Sequence, residues 1–158
     1  DILILGKALS GGTYPVSAVL AGNEIMEVIR PGQHGSTFGG NPVAAAVGIA
    51  ALEVIRDEKL AENAFVLGEY FRNELSEICK SSDVAGYVRG KGLLNALIIN
   101  NKNRHNLAWE ICLGLAENGL LAKPTHTNII RFAPPLVITK EQLTKCIEII
   151  RQTLKRFE

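Results

Sequence analysis

Four stretches of the chain hold side chains that could do chemistry. Lys7 stands just past the apolar run Ile2–Leu5 and precedes Ala8-Leu9-Ser10-Gly11-Gly12. Functional side chains of α/β folds gather at strand ends. A Lys at the mouth of an apolar strand is expected to be partly desolvated. Burial favours the neutral amine, the form that attacks a carbonyl. Lys7 is therefore a candidate for a Schiff base, and the plainer reading is a solvated Lys after a strand. The pattern GxxxxGK[ST] is absent, so this is not a nucleotide-binding phosphate loop.

The second stretch is His34-Gly35-Ser36-Thr37-Phe38-Gly39-Gly40-Asn41-Pro42. It packs hydroxyls, glycines and a helix start into nine residues. Glycines let backbone N–H groups approach an oxyanion, and hydroxyls beside a helix N-terminus suit a phosphate. An ordinary capped turn is the competing reading. The third is Arg131, inside Ile129-Ile130-Arg131-Phe132-Ala133-Pro134-Pro135. A guanidinium buried in an apolar strand needs a partner, and a carboxylate gives the bidentate fit. That carboxylate belongs either to a protein Asp or Glu or to a substrate. The fourth, Val88-Arg89-Gly90-Lys91-Gly92, sets two basic residues between glycines. It reads as a tight turn into a strand, because no aromatic residues interleave for nucleic-acid contact.

Composition limits what these residues can serve. The 158 residues carry 17 Lys+Arg and 16 Asp+Glu, a net charge of +1. That balance argues against nucleic acid as the main partner. With 47% hydrophobic and 21% charged residues, the chain has the makings of a real core rather than of disorder. No apolar run reaches the roughly 20 residues that span a bilayer. His34, His105 and His126 show no metal spacing, so no metal is expected. Cys79, Cys112 and Cys146 form no CxxC and suit a reduced protein better than a disulfide scaffold. Trp109 and Tyr70 fall in helical patterns and read as packing residues. Since the first residue is Asp1 and the chain opens directly into a strand pattern, we expect a piece of a longer protein.

These residues must be held by recognisable elements. Ile2–Leu5 reads as a buried strand, and Val16–Ala21 as a second one. Asn23 is expected to cap a short helix, Glu24–Ile29. Asn41-Pro42 starts an Ala-rich helix, Val43–Ile55, able to pack closely over most of its girth. A further helix carries Leu60, Ala64, Leu67, Phe71, Leu75 and Ile78 on one side. After a turn at 81–86, a strand ends near Ile99, and 100–103 reads as a polar turn. A helix from about Arg104 to Glu117 turns Leu107, Ala108, Ile111, Cys112 and Leu115 inward and stops at Asn118-Gly119. Leu120–Ala122 and Asn128–Phe132 read as strands around a turn at Pro124. Thr139 and Gln142 form a capping box for a last helix that buries Leu143, Ile147, Ile150 and Leu154. The order predicts an α/β tail followed by a small α+β domain, joined along the Ala-rich helix.

Taken together, the stretches LGKALSGG (5–12), YPVSAVLA (14–21), HGSTFGGNP (34–42), VRGKGLLNA (88–96), NGLLAKPTH (118–126) and IIRFAPPLVI (129–138) resemble the C-terminal part of class III (ω-type) aminotransferases. Within that class they are most similar to the ornithine-type enzymes. The resemblance implies a cofactor, pyridoxal 5'-phosphate. It implies the end of a fold-type I (aspartate aminotransferase-like) large domain over 1–50 and the small C-terminal domain over 51–158. Lys7 would be the Schiff-base lysine and proton carrier. Ser36 and Thr37 would reach the cofactor phosphate of a neighbouring subunit, making the active site a shared feature of a homodimer. Arg131 would bind a substrate carboxylate, notably that of 2-oxoglutarate, with L-ornithine as amino donor. Mitochondrial matrix is the implied compartment, with cytosol as the alternative, and no membrane or nucleic-acid partner is implied. The family's pyridine-nitrogen acid, its ring-stacking aromatic and its Gly-containing phosphate loop would lie upstream of Asp1. The chain alone is therefore expected to be inactive. Other readings are an acetylornithine- or 4-aminobutyrate-type enzyme, or a non-catalytic dimerisation module.

Overall fold

The computed structural model describes residues 1–100 and 104–158. Beyond Asn100, the polar turn expected at 100–103 lies outside the described residues. The chain divides into two compact units, Asp1–Lys59 and Leu60–Glu158. The boundary expected at 50/51 falls inside a helix, whereas the units part just after that helix ends.

In the first unit, β1 (Ile2–Leu5) pairs antiparallel with β2 (Ala18–Ala21), Ile2 facing Ala21 and Leu5 facing Ala18. β2 starts two residues later than expected, because β1 ends at Leu5, the partner of Ala18, and leaves Val16 and Ser17 unpaired. The strands are not buried. Ile4 is 75% exposed, and Ile2, Leu3, Val19 and Leu20 are about half exposed. A continuous apolar run signals burial on both faces, but the ribbon meets no covering layer among the described residues. The helix α1 (Asn23–Met26) is shorter than predicted and is capped by Gly22 rather than by Asn23, with no side-chain bond. The long helix α2 (Pro42–Asp57) begins as expected, with the Asn41 side chain accepting from the N–H groups of Val43 and Ala44. Its close packing covers only the stripe through Ala44 and Gly48. Val43, Ile49 and Leu52 stay half exposed.

The second unit is a four-stranded antiparallel sheet with helices on one face. Its elements are α3 (Leu60–Ser81), β3 (Ala85–Lys91), β4 (Leu94–Ile99), α4 (Leu107–Glu117), β5 (Lys123–Thr125), β6 (Ile129–Phe132) and α5 (Lys140–Leu154). The strand order is β3-β4-β6-β5. The single strand expected to end near Ile99 is thus a hairpin, whose first strand begins inside the predicted turn at 81–86. Leu120–Ala122 is not a strand. β5 follows it and contains Pro124, which an edge strand tolerates because one side needs no N–H donor. The core joins Phe71, Leu75 and Ile78 of α3 to Leu97, Ile130, Ile111, Leu115, Leu143 and Ile150. Phe71 meets Phe132 edge to face, with centroids 5.6 Å apart. Among the described residues no helix is long and apolar enough to cross a membrane.

Candidate active site

The first unit builds a cleft of about 920 Å³, walled by Leu5, Lys7, Ser36, Asn41 and the Ala44–Gly48 face of α2. Two loops form its rim, and hydrogen bonds fix each of them. In the first, Gly6 O accepts from Leu9 N–H and Ala8 O from Gly11 N–H, at 3.2 and 2.9 Å. Ser10 is buried. Its hydroxyl donates to Tyr14 O and accepts from Tyr14 N–H, and Thr13 Oγ1 donates to Ser10 O. Gly11, at a φ of 64°, lets the loop lie against Ala51 of α2.

In the second loop, Ser36 Oγ accepts from Gly39 N–H at 3.1 Å, and Asn41 caps α2. Asn41 Nδ2 also donates to the Tyr14 hydroxyl at 3.4 Å, which ties the two loops together. No sequence signal marks Tyr14 for this role, since the partners are 27 residues apart.

Lys7 lines the cleft with a φ of 53°, in the left-handed region that only a few per cent of non-glycine residues adopt. Its side chain is exposed, not partly desolvated as the sequence implied. Of β1, only Leu5 joins Lys7 in the cleft wall, while Ile2, Leu3 and Ile4 stay exposed. Ser36 shares the cleft, whereas Thr37 is exposed and is not part of its wall.

Arg131 belongs to the second unit, on β6. It too is exposed, correcting the expectation of a buried guanidinium. β6 alternates. Ile130 and Phe132 enter the core, so Arg131 must point to the opposite face. Among the described residues no Asp or Glu pairs with it. The ion pairs there are made by Arg56, Lys80, Arg104, Arg151 and Arg156.

The Arg89–Gly92 stretch is a strand running into a turn. Gly92 takes a φ of 53°, and its carbonyl accepts from Arg72 Nη1 at 2.8 Å and from the buried Asn95 Nδ2 at 3.1 Å. The described residues contain no group of three or more His, Cys, Asp or Glu able to hold a metal.

A primary amine at a strand end, a hydroxyl and a capped helix start on one cleft form a donor set of definite chemistry. An amine takes an aldehyde carbon, and a hydroxyl beside a helix start suits a phosphate. The family model for class-III aminotransferases matches residues 1–154.

The chain belongs to the class-III aminotransferases.

Class-III aminotransferases use pyridoxal 5'-phosphate, an aldehyde carrying a phosphate, and the amine of Lys7 has the chemistry that its aldehyde end requires. The chain is 64% identical to the mitochondrial ornithine aminotransferase of Drosophila melanogaster over 98% of its own length and 35% of that protein's. It is 60% identical to the ornithine aminotransferase of Schizosaccharomyces pombe, with the same coverage on both sides. Among solved structures, an acetylornithine aminotransferase from Elizabethkingia anophelis matches with a TM-score of 0.94 and 64% identity, over 99% of this chain and 41% of that one. Ornithine δ-aminotransferase of Plasmodium falciparum matches with a TM-score of 0.92 and 52% identity, over 99% and 40%. The chain thus spans about a third of the length of the curated class-III relatives it matches.

Proposed function

We propose that the chain is part of an ornithine aminotransferase that moves the δ-amino group of L-ornithine to 2-oxoglutarate, giving glutamate semialdehyde and glutamate. One observation carries this reading: curated proteins of that name from insects, yeast and a mammal are 55–64% identical along almost the whole chain. The first unit then supplies the end of the cofactor-binding large domain, and the second the small C-terminal domain.

Pyridoxal 5'-phosphate, when bound, acts as the electron sink for the carbon being deprotonated. Lys7 Nζ is the amine that holds its carbonyl end, and the same nitrogen carries the proton at the substrate's δ-carbon. The Ser36 and Thr37 hydroxyls hold the phosphate of a neighbouring subunit's cofactor, so the working unit is a homodimer. Arg131 binds a carboxylate of 2-oxoglutarate through its planar fork. Its lack of an acidic partner among the described residues supports a ligand rather than a structural role. A mitochondrial location is supported by the names of the fly and rat relatives.

The solved structure named for acetylornithine, also 64% identical, favours a second reading with N-acetylornithine as donor. One experiment separates them. The full-length protein is loaded with cofactor, and its visible band is followed while L-ornithine or N-acetylornithine is added without a keto acid. The proposal expects ornithine to bleach the band and 2-oxoglutarate to restore it. Bleaching by N-acetylornithine alone selects the second reading. A Lys7→Ala protein should bleach at least about 100-fold more slowly, the scale of a lost proton-transfer group. An unchanged rate removes Lys7 from its role.

A further inference from the structure

The outward side of the second unit's sheet sets three cations in one row. Register aligns Arg89 of β3 with Ala96 of β4, Ala96 with Arg131 of β6, and Arg131 with Lys123 of β5. Residues directly opposite on paired strands share a face, with Cα atoms about 5 Å apart. Lys123 is therefore Arg131's immediate neighbour. Arg89 lies one strand beyond Ala96, whose short side chain leaves space between the two guanidinium groups. All three cations are exposed, and among the described residues none has a carboxylate partner. In the neighbouring rows of this face Ile98 is buried, whereas its partner Tyr87 and the Lys91–Leu94 pair are exposed.

Like charges directly opposite in a sheet destabilise it. Here no carboxylate among the described residues pairs with them, although the 158 residues come close to charge balance at +1. Such a row raises the local positive potential and favours an anion at its centre.

We propose that Lys123 and Arg89 set the preference for an acidic acceptor by extending Arg131 into a cationic row that draws a dicarboxylate to it. The proposal rests on the reading that Arg131 binds a substrate carboxylate. Arg131 makes the bidentate contact. Lys123 and Arg89 are positioning residues that act through the potential at its fork, Lys123 more strongly because it is adjacent.

The test uses the full-length holoenzyme and glutarate, a five-carbon dicarboxylate with no keto group to react. Its Kd is measured calorimetrically at several salt concentrations. Lys123→Gln should weaken binding about three- to tenfold and Arg89→Gln about two- to threefold, the size expected for one nearby charge in partly screened surroundings. Both should flatten the dependence of Kd on salt. Lys123→Arg should restore the affinity, which a merely structural change would not do. Lys80→Gln, which removes an equal charge from a cation paired with Glu77 on α3, should leave Kd unchanged. If Lys123→Gln and Arg89→Gln bind glutarate as the parent does while Arg131→Gln does not, the row has no role and the reading of Arg131 stands. If Arg131→Gln itself binds normally, that underlying reading falls. If Lys80→Gln weakens binding as much as Lys123→Gln, the effect is one of net charge and the row is again refuted.

Discussion

Cys112 shows how a side chain of modest chemistry reports its surroundings. It faces the core from α4, in the same cluster as Ile111 and Leu115, and burial pushes its thiol up from about 9 to about 11. Below pH 9 the thiol keeps its proton in both the folded and unfolded states, so its contribution to stability is intact. Above pH 9 the unfolded chain releases the proton first, and stability falls as the pH climbs towards about 11. Thermal melts of the protein between about pH 8 and pH 10.5 should show Tm declining with pH, and Cys112→Ala should lessen the slope. Burial also raises the thiols of Cys79 and Cys146, so some slope should remain. An identical slope in Cys112→Ala would remove this thiol as a cause. At this scale the sequence revealed which residues carry chemistry better than where they stand. Lys7 and Arg131 stood out by type and context, yet both were expected to be covered and both are exposed. Burial depends on what lies over a residue, and neighbours in sequence do not say that. Lys123 attracted no notice because only strand register brings it beside Arg131.

Helices were easier to read than strands. α3 buries Leu60, Leu67, Phe71, Leu75 and Ile78, as its periodicity predicted, and α5 opens with the expected capping box. There Thr139 Oγ1 accepts from Gln142 N–H at 3.3 Å, and Gln142 Oε1 accepts from Thr139 N–H at 3.0 Å. A helix declares itself over many residues, whereas β5 is three residues long and includes a proline. Its pairing with β6 comes from the fold and not from local preference. The contact between α3 and the β3–β4 turn was likewise invisible in sequence. A Cβ at Gly68 would overlap the Gly92 carbonyl, so the helix can lie against the turn only because residue 68 has no side chain. Gly68→Ala should therefore destabilise the protein by about 1–3 kcal/mol, the usual cost of overpacking, despite the better helix propensity of Ala. Urea denaturation checks this, and a stability equal to or above the parent's would refute the close contact.

On the scale of the whole molecule the two units differ in self-sufficiency. The second closes a core of its own, with Leu75, Leu115 and Ile130 wholly buried. The first leaves most of its apolar strand residues open. Residues Leu60–Glu158 alone should therefore unfold cooperatively in urea, with a slope of roughly 1–3 kcal/mol/M. Asp1–Lys59 alone should show no such transition. A cooperative transition in the shorter piece would overturn this contrast. The expected α/β tail followed by an α+β domain matches the class of the fold. The missing information concerned covering layers, because an apolar run reads the same whether or not anything shields it. The contrast also bears on how the protein is made. Within this stretch residues 1–59 leave the ribosome before residues 60–158, and they do not hide their apolar surfaces among themselves. The later segment closes a core of its own without them, so within this stretch the part made second is the one that needs no further cover. The apolar side chains of β1, β2 and α2 are the surfaces that other parts of the polypeptide, or a chaperone before those parts arrive, would have to shelter.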